Sequence, residues 1–162
     1  MDLQALTNSF IENLSELNQY LDKLSTLLLH EELALTEQNL DATESISIEK
    51  NELTAKVEQA EQCRQSLCLQ LQISPDKRGI QGWLKTKPVE LQQQVATLWK
   101  RITYLGQKCE TQNQVNGIMV AHLQRRAQDA LAILRGAVSG QDNYSQTGAH
   151  ENKQNQKIIA KA

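Results

Sequence analysis

From Leu91 to Val138 an apolar residue returns every three or four positions, through Leu91, Val95, Leu98, Ile102, Leu105, Cys109, then Met119, Leu123, Ala127, Ala130, Leu134 and Val138, with no proline between. That period is helical, so the stretch is one helix or two joined end to end. At its centre the stripe gives way to Asn113-Gln114-Val115-Asn116-Gly117, which sets amides where the pattern asks for methyls and then adds the poorest helix former short of proline. Any fold for this chain has to accommodate a long helix that is weakened at its middle.

Two further apolar stripes precede it. Leu3, Leu6, Phe10, Leu14, Leu17, Leu21, Leu24, Leu28 and Leu35 predict a helix over about residues 2–37. Asn39-Leu40-Asp41 supplies a break. Asp41-Ala42-Thr43-Glu44 has the form of a capping box, with the Asp41 carboxylate placed for an orphan amide. A second helix over about 42–73 follows, carrying Ile48, Leu53, Val57, Ala60, Leu67 and Leu71. Ser74-Pro75-Asp76-Lys77-Arg78-Gly79 is turn chemistry, and Gly82-Trp83-Leu84 fits one short helical turn. Lys87-Pro88 ends that turn and sets proline at the first position of a third helix, over about 88–138. With 40% hydrophobic but only 4% aromatic residues, leucine seams are the expected means of packing. The expected fold is all-α: an elongated antiparallel three-helix bundle, a long hairpin plus a longer third helix, as a single domain over 1–138. Residues 139–162 lose the periodicity and collect Gly, Asn and Ser, which predicts a flexible, disordered tail, with Tyr144 and Ile158-Ile159 as its apolar points.

The third helix is about fifty residues and the second about thirty, so at 1.5 Å per residue the third outruns its neighbour by roughly 30 Å. Beyond about Val120 its stripe, through Leu123, Ala127, Ala130, Leu131, Leu134 and Val138, is then uncovered. Such a stripe folds back, pairs with a second copy, or takes up another chain. Residues 118–138 are expected to form a partner-binding helix. Asn113, Asn116 and Gly117 fit two roles that are compatible: a buried polar layer that fixes register, and a hinge.

Nothing in the sequence assembles a reaction centre. His30, His122 and His150 lack companions at ligand spacing, and His30-Glu31-Glu32 has no second histidine four residues on. Cys63 and Cys68 diverge by about 140° on a helix, which fits idle thiols and neither a disulfide nor a metal site. No metal, cofactor or catalytic residue is expected, and an enzyme is excluded as the reading. Arg125-Arg126 and Lys100-Arg101 could hold phosphate, but a net charge of -2 without interleaved aromatics argues against nucleic acid. Met1-Asp2-Leu3-Gln4 has no positive region or apolar core and Leu27-Leu28-Leu29 is far short of a span, so a cytosolic location without membrane insertion is expected.

The asparagine-glycine centre, followed by Leu123-Gln124-Arg125-Arg126-Ala127-Gln128-Asp129-Ala130-Leu131-Ala132-Ile133-Leu134, resembles the FlgN family of flagellar type III export chaperones. Leu21 through Glu31-Glu32, Glu49-Lys50-Asn51-Glu52-Leu53, Trp83-Leu84 and Leu98-Trp99 fall in the family's order, so the likeness covers about residues 10–148. It implies a chaperone that binds the carboxy-terminal helical region of the hook-filament junction (hook-associated) proteins, prevents premature assembly and delivers them to the export gate. It also implies that the client site is the distal part of the last helix, here Met119, Leu123, Ala127, Ala130, Leu131, Leu134 and Val138. The family's Tyr-Gly-x-x-Gly tail motif is matched by Tyr144-Ser145-Gln146-Thr147-Gly148, with Ser145 in place of the first glycine. Tyr144 is thereby the implied contact to the cytoplasmic part of the export gate. Three alternatives stay open: a self-associating coiled-coil adaptor, active as a homodimer and without a client; a nucleic-acid accessory bundle; and a chaperone for flagellin or the filament cap.

Overall fold

A computed structural model describes the backbone of residues 3–148 and the side chains of residues 3–136. Among the described residues the chain is all helical, with four helices where three are expected: α1 (Leu3–Thr36), α2 (Leu40–Gln70), α3 (Lys77–Leu84) and α4 (Val89–Gly148). By its internal contacts the chain divides into two units, residues Met1–Met119 and Val120–Ala162.

Within the first unit, α1 is the element that everything else touches. Its stripe is buried from Leu6 to Leu35, with Leu3 exposed at the start, and Phe10, Leu14 and Leu28 are almost wholly withdrawn from water. Each such side chain contributes about 1.5–3 kcal/mol. α2 runs antiparallel to it: the Asn13 amide donates to the Ala60 carbonyl at 3.0 Å, and eighteen residues on Glu31 meets Lys50 at 2.5 Å. The first part of α4 runs in the same direction as α1, with the Cys109 thiol on the Leu21 carbonyl at 3.5 Å and, seven residues on along both helices, the Asn116 amide on the Leu28 carbonyl at 2.8 Å. Leu17, Leu21, Ala60 and Leu105 close a core cluster from all three elements.

Three residues join α1 to α2, and they end one helix while starting the next. Gln38 adopts φ 54°, and the Gln38 and Asn39 amides donate back to Leu35 and Ala34 at 3.2 and 2.9 Å, which satisfies the last carbonyls of α1. Asn39 then caps α2, its side chain accepting from the Ala42 amide at 3.1 Å. Asp41 is the expected cap; it lies instead inside the first turn, because α2 starts two residues earlier with Asn39 capping the Ala42 amide. α2 ends by the same device, with Gln72 at φ 55° and the Ile73 amide on the Cys68 carbonyl. The helix therefore stops at Gln70, short of Ile73.

The segment expected to be a turn with one helical loop is the eight-residue α3. Asp76 caps it by accepting from the Gly79 amide at 2.9 Å, and Ile80 and Leu84 are buried beside Phe10, Leu14, Leu67 and Val95. Trp83 meets Phe10 edge-on, with ring centroids 5.6 Å apart. α4 begins one residue later than expected, with the Pro88 carbonyl accepting from the Gln92 amide at 3.0 Å. It also continues through Ser139 to Gly148, ten residues past the expected end at Val138. Extending an existing helix fixes one residue per hydrogen bond, so polar residues without proline suffice. Residues 149–162, including Ile158-Ile159, lie outside the described residues.

One charged residue organises the joint between α2, α3 and α4. Arg64 is buried, bonds both Glu61 oxygens at 2.8 and 2.6 Å, donates to the Pro75 carbonyl at 2.9 Å and lies over the Trp99 ring at 5.2 Å. The hydrogen bond from Arg64 holds the Glu61 carboxyl below its usual range, against partial desolvation. A depressed carboxylate stabilises the fold above its unfolded range and loses that contribution as pH falls through its folded value. Glu61→Gln is therefore expected to lower Tm at neutral pH, and the gap from the native chain should close on acidification, as followed by circular dichroism melts.

At Gly79 a Cβ would overlap the carbonyl oxygen of Ser74, whereas at Gly82 it would meet nothing. Gly79→Ala should destabilise by about 1–3 kcal/mol through overpacking. Gly82→Ala, in the same helix, should stabilise by up to about 1 kcal/mol through helix propensity. Urea denaturation of the two variants tests these opposite signs.

Candidate functional site

Along α4 the covered positions follow a three-four alternation: Val95, Leu98, Ile102, Leu105, Cys109, Gln112 and Asn116 are buried or half-buried, and the residues between them are mostly exposed. This is the seam pattern of paired helices. It changes from methyls to amides at its last two positions.

Asn116 is only 2% exposed, and two α1 residues accept the hydrogen bonds its amide has to give. Its amide donates to the Leu28 carbonyl at 2.8 Å and to Glu31 Oε2 at 2.7 Å. Its own oxygen accepts from Gln112 at 3.0 Å. The second Gln112 hydrogen goes to Glu32 at 2.8 Å. The other Glu31 oxygen takes the Lys50 ammonium from α2. One layer thus joins all three long helices, and a full set of bonds is what makes polar burial there tolerable.

The expected pair for this layer was Asn113 with Asn116. Asn113 is exposed and takes no part, because it falls off the α1-facing side; Gln112, one turn before Asn116, fills the place. Gly117 lies inside a continuous helix with no positive φ, and a Cβ on it would touch nothing within 4 Å. No packing contact requires glycine at that position, and it stands two residues before the boundary after Met119.

The stripe has a different character beyond that boundary. Met119 and Leu123 are half-buried, whereas Ala127 and Ala130 are exposed and Leu131, Ile133 and Leu134 are 52%, 72% and 62% exposed. Ile133 was not singled out in the sequence, since it lies off the stripe by one position. The side chains of Val138 and Tyr144 lie outside the described residues, although α4 carries both positions. At 60 residues α4 exceeds α1, at 34, by 26, a length of about 39 Å at 1.5 Å per residue.

Among the described residues no three or more His, Cys, Asp or Glu side chains gather as a metal site, and no helix is long and apolar enough to cross a membrane. Burial pushes the Cys68 and Cys109 thiols up, which disfavours their thiolates, and Cys63 is exposed. Arg101 is held by Asp22, while Arg125 and Arg126 are exposed.

The sequence matches the family described as FlgN protein over residues 1–152. No curated protein and no solved structure matches it.

The polar layer makes a sharp prediction. Asn116→Leu leaves the Leu28 carbonyl and the Glu31 carboxylate short of a donor and should cost about 1–3 kcal/mol. Asn116→Asp sets a carboxylate against Glu31 and should cost more at neutral pH than in mild acid, where one of the two takes a proton. Chemical denaturation at both pH values measures the difference.

Proposed function

The chain belongs to the FlgN family, and from that premise we propose a specific form of the flagellar export chaperone role that membership carries in general. The chain binds the carboxy-terminal helical region of hook-filament junction proteins in the cytosol, keeps them from assembling early, and hands them to the export gate. Up to Met119 the long helices act as an elongated three-helix bundle that serves as a rigid base. The client packs on Met119, Leu123, Ala127, Ala130, Leu131, Leu134 and Val138, as one amphipathic helix laid on another.

The observation that carries this reading is the exposure of Leu131, Ile133 and Leu134 on a helix that outlasts its neighbours. An uncovered apolar stripe costs free energy of about 25 cal/mol per Å² until something covers it. A client whose own seam would otherwise polymerise supplies a matching face. Gly117 serves as the point where α4 bends to admit it, because low helix propensity is the property left to a glycine with no packing duty. Tyr144 makes the contact to the cytoplasmic part of the gate, with Ser145 loosening the tail motif.

Calorimetric titration of the full chain with the carboxy-terminal helical segment of each junction protein tests the reading. Leu131→Asp and Leu134→Asp are expected to weaken binding roughly tenfold or more, about 1.4 kcal/mol. Both sites are exposed, so unfolding free energy should move by no more than about 0.5 kcal/mol. Undiminished binding, or collapse of the fold, would sink the assignment. A mass that rises with concentration and falls in the Leu131→Asp variant would show a second copy on the stripe.

A further inference from the structure

α3 packs Ile80 and Leu84 against the core, and where it meets α4 the same two side chains edge a trough of about 510 Å³. Ile80, Leu84, Ala96, Trp99 and Tyr104 give it apolar walls, and Lys77 and Lys100 stand beside them. A second depression continues from it, sharing Gln81, Leu84 and Ala96 and adding Arg78 and Lys85. Four cations thus line the combined surface, and no carboxylate is among its lining residues. The nearest acids in sequence are Asp76, engaged with the Gly79 amide, and Glu90, in the first turn of α4.

The walls are fixed before anything docks. Arg64 lies over the Trp99 ring at 5.2 Å and is itself held by Glu61 and the Pro75 carbonyl. Trp83 is pinned between the Phe10 ring and the Lys87 ammonium, the latter 4.9 Å from its centroid, so α3 cannot easily swing away. A preformed site loses little entropy on binding.

We propose that this trough docks an amphipathic helical segment of a partner protein, with leucine-type anchors on one face and Asp or Glu along its flanks. Apolar walls between two helices accept side chains spaced at i, i+3 or i+4 and i+7, and Lys77, Lys85 and Lys100, with Arg78 partly offset by Asp76, select acidic flanks. A bilayer would meet the same charges, but a concave trough favours a ridge of side chains over a flat surface. The site lies wholly within residues 77–107, apart from the stripe assigned to the client, and does not rest on that assignment. Client and acidic helix can therefore be held together.

The test uses the full chain and a synthetic helical peptide of about 18 residues, carrying leucines at helical spacing with glutamates beside them, in calorimetric titration. A twin peptide has lysines for the glutamates. The Glu-flanked peptide should bind, weaken as salt is raised, and exceed its twin by roughly tenfold or more. Lys77→Glu combined with Lys100→Glu sets two carboxylates against the remaining Arg78 and Lys85 and should abolish that preference, and Ala96→Glu should abolish binding of the Glu-flanked peptide. These are exposed positions, so the melting curve reports whether the variants stay folded; Leu131→Asp should bind as the native chain does. Equal binding of both peptides, no heat at millimolar Glu-flanked peptide, or indifference to Ala96→Glu overturns the proposal. So does binding confined to phosphatidylglycerol vesicles, or a concentration-dependent self-association that the lysine reversals remove.

Discussion

The Asn116 side chain is the constraint on which the arrangement of the long helices depends. Leucine seams tolerate sliding, since one methyl replaces another at each turn of displacement. An amide that must meet the Leu28 carbonyl, Glu31 and Gln112 together tolerates only one register. Lys50 carries the same restriction to α2 through Glu31. The layer thus contributes specificity more than net stability, because burying the same volume as hydrocarbon would cost less. Among the described residues Asn116 is also the last buried position of α4.

A second anchor works at the opposite end of the first unit. Arg64 gathers the α2–α3 connection, the Trp99 ring and the Glu61 carboxylate, and α3 closes over the beginning of α1 through Phe10, Ile80 and Leu84. Between these two polar anchors the core clusters are mainly aliphatic, with the Asn13 amide on the Ala60 carbonyl and the Arg101–Asp22 pair as further directional contacts. That distribution suits a chain with few aromatic residues: geometry is set by two directional clusters, and leucine supplies the rest.

Much of this was legible in the sequence, and the exceptions share a cause. The stripes of α1, α2 and α4 show because a buried helix face repeats over many turns and averages out local irregularity. Asn116 could be flagged because an amide interrupted such a repeat. Its partner was missed because Asn113 and Gln112 differ by one position, and only the direction of α1 decides between them. Arg64 left no signal, since an arginine on a glutamine-rich face looks solvated until the Pro75 carbonyl and Trp99 come near it. α3 was read as turn because eight residues with Gly79 and Gly82 hold barely two periods, and tertiary packing on Phe10 outweighs their weak propensity. Asn39 and Asp41 have equal capping strength and stand two apart, so sequence alone does not rank them. The distal exposure of α4 followed from helix lengths alone, whereas its occupant is a matter of chemistry that no length encodes.

The change of spacing along α4 has a consequence for handedness. From Val95 to Asn116 the covered positions span 21 residues in six steps, an average of 3.5, which is the repeat of a left-handed supercoil. From Met119 through Leu123, Ala127, Ala130 and Leu134 to Val138 the stripe spans 19 residues in five steps, an average of 3.8, on the other side of the 3.6 of a straight helix. A helix tracking the distal stripe must wind round α4 in the right-handed sense, opposite to the way α4 winds with α1. Two such stripes do not merge into one continuous coil, so the halves of α4 on either side of Met119 call for neighbours of opposite winding.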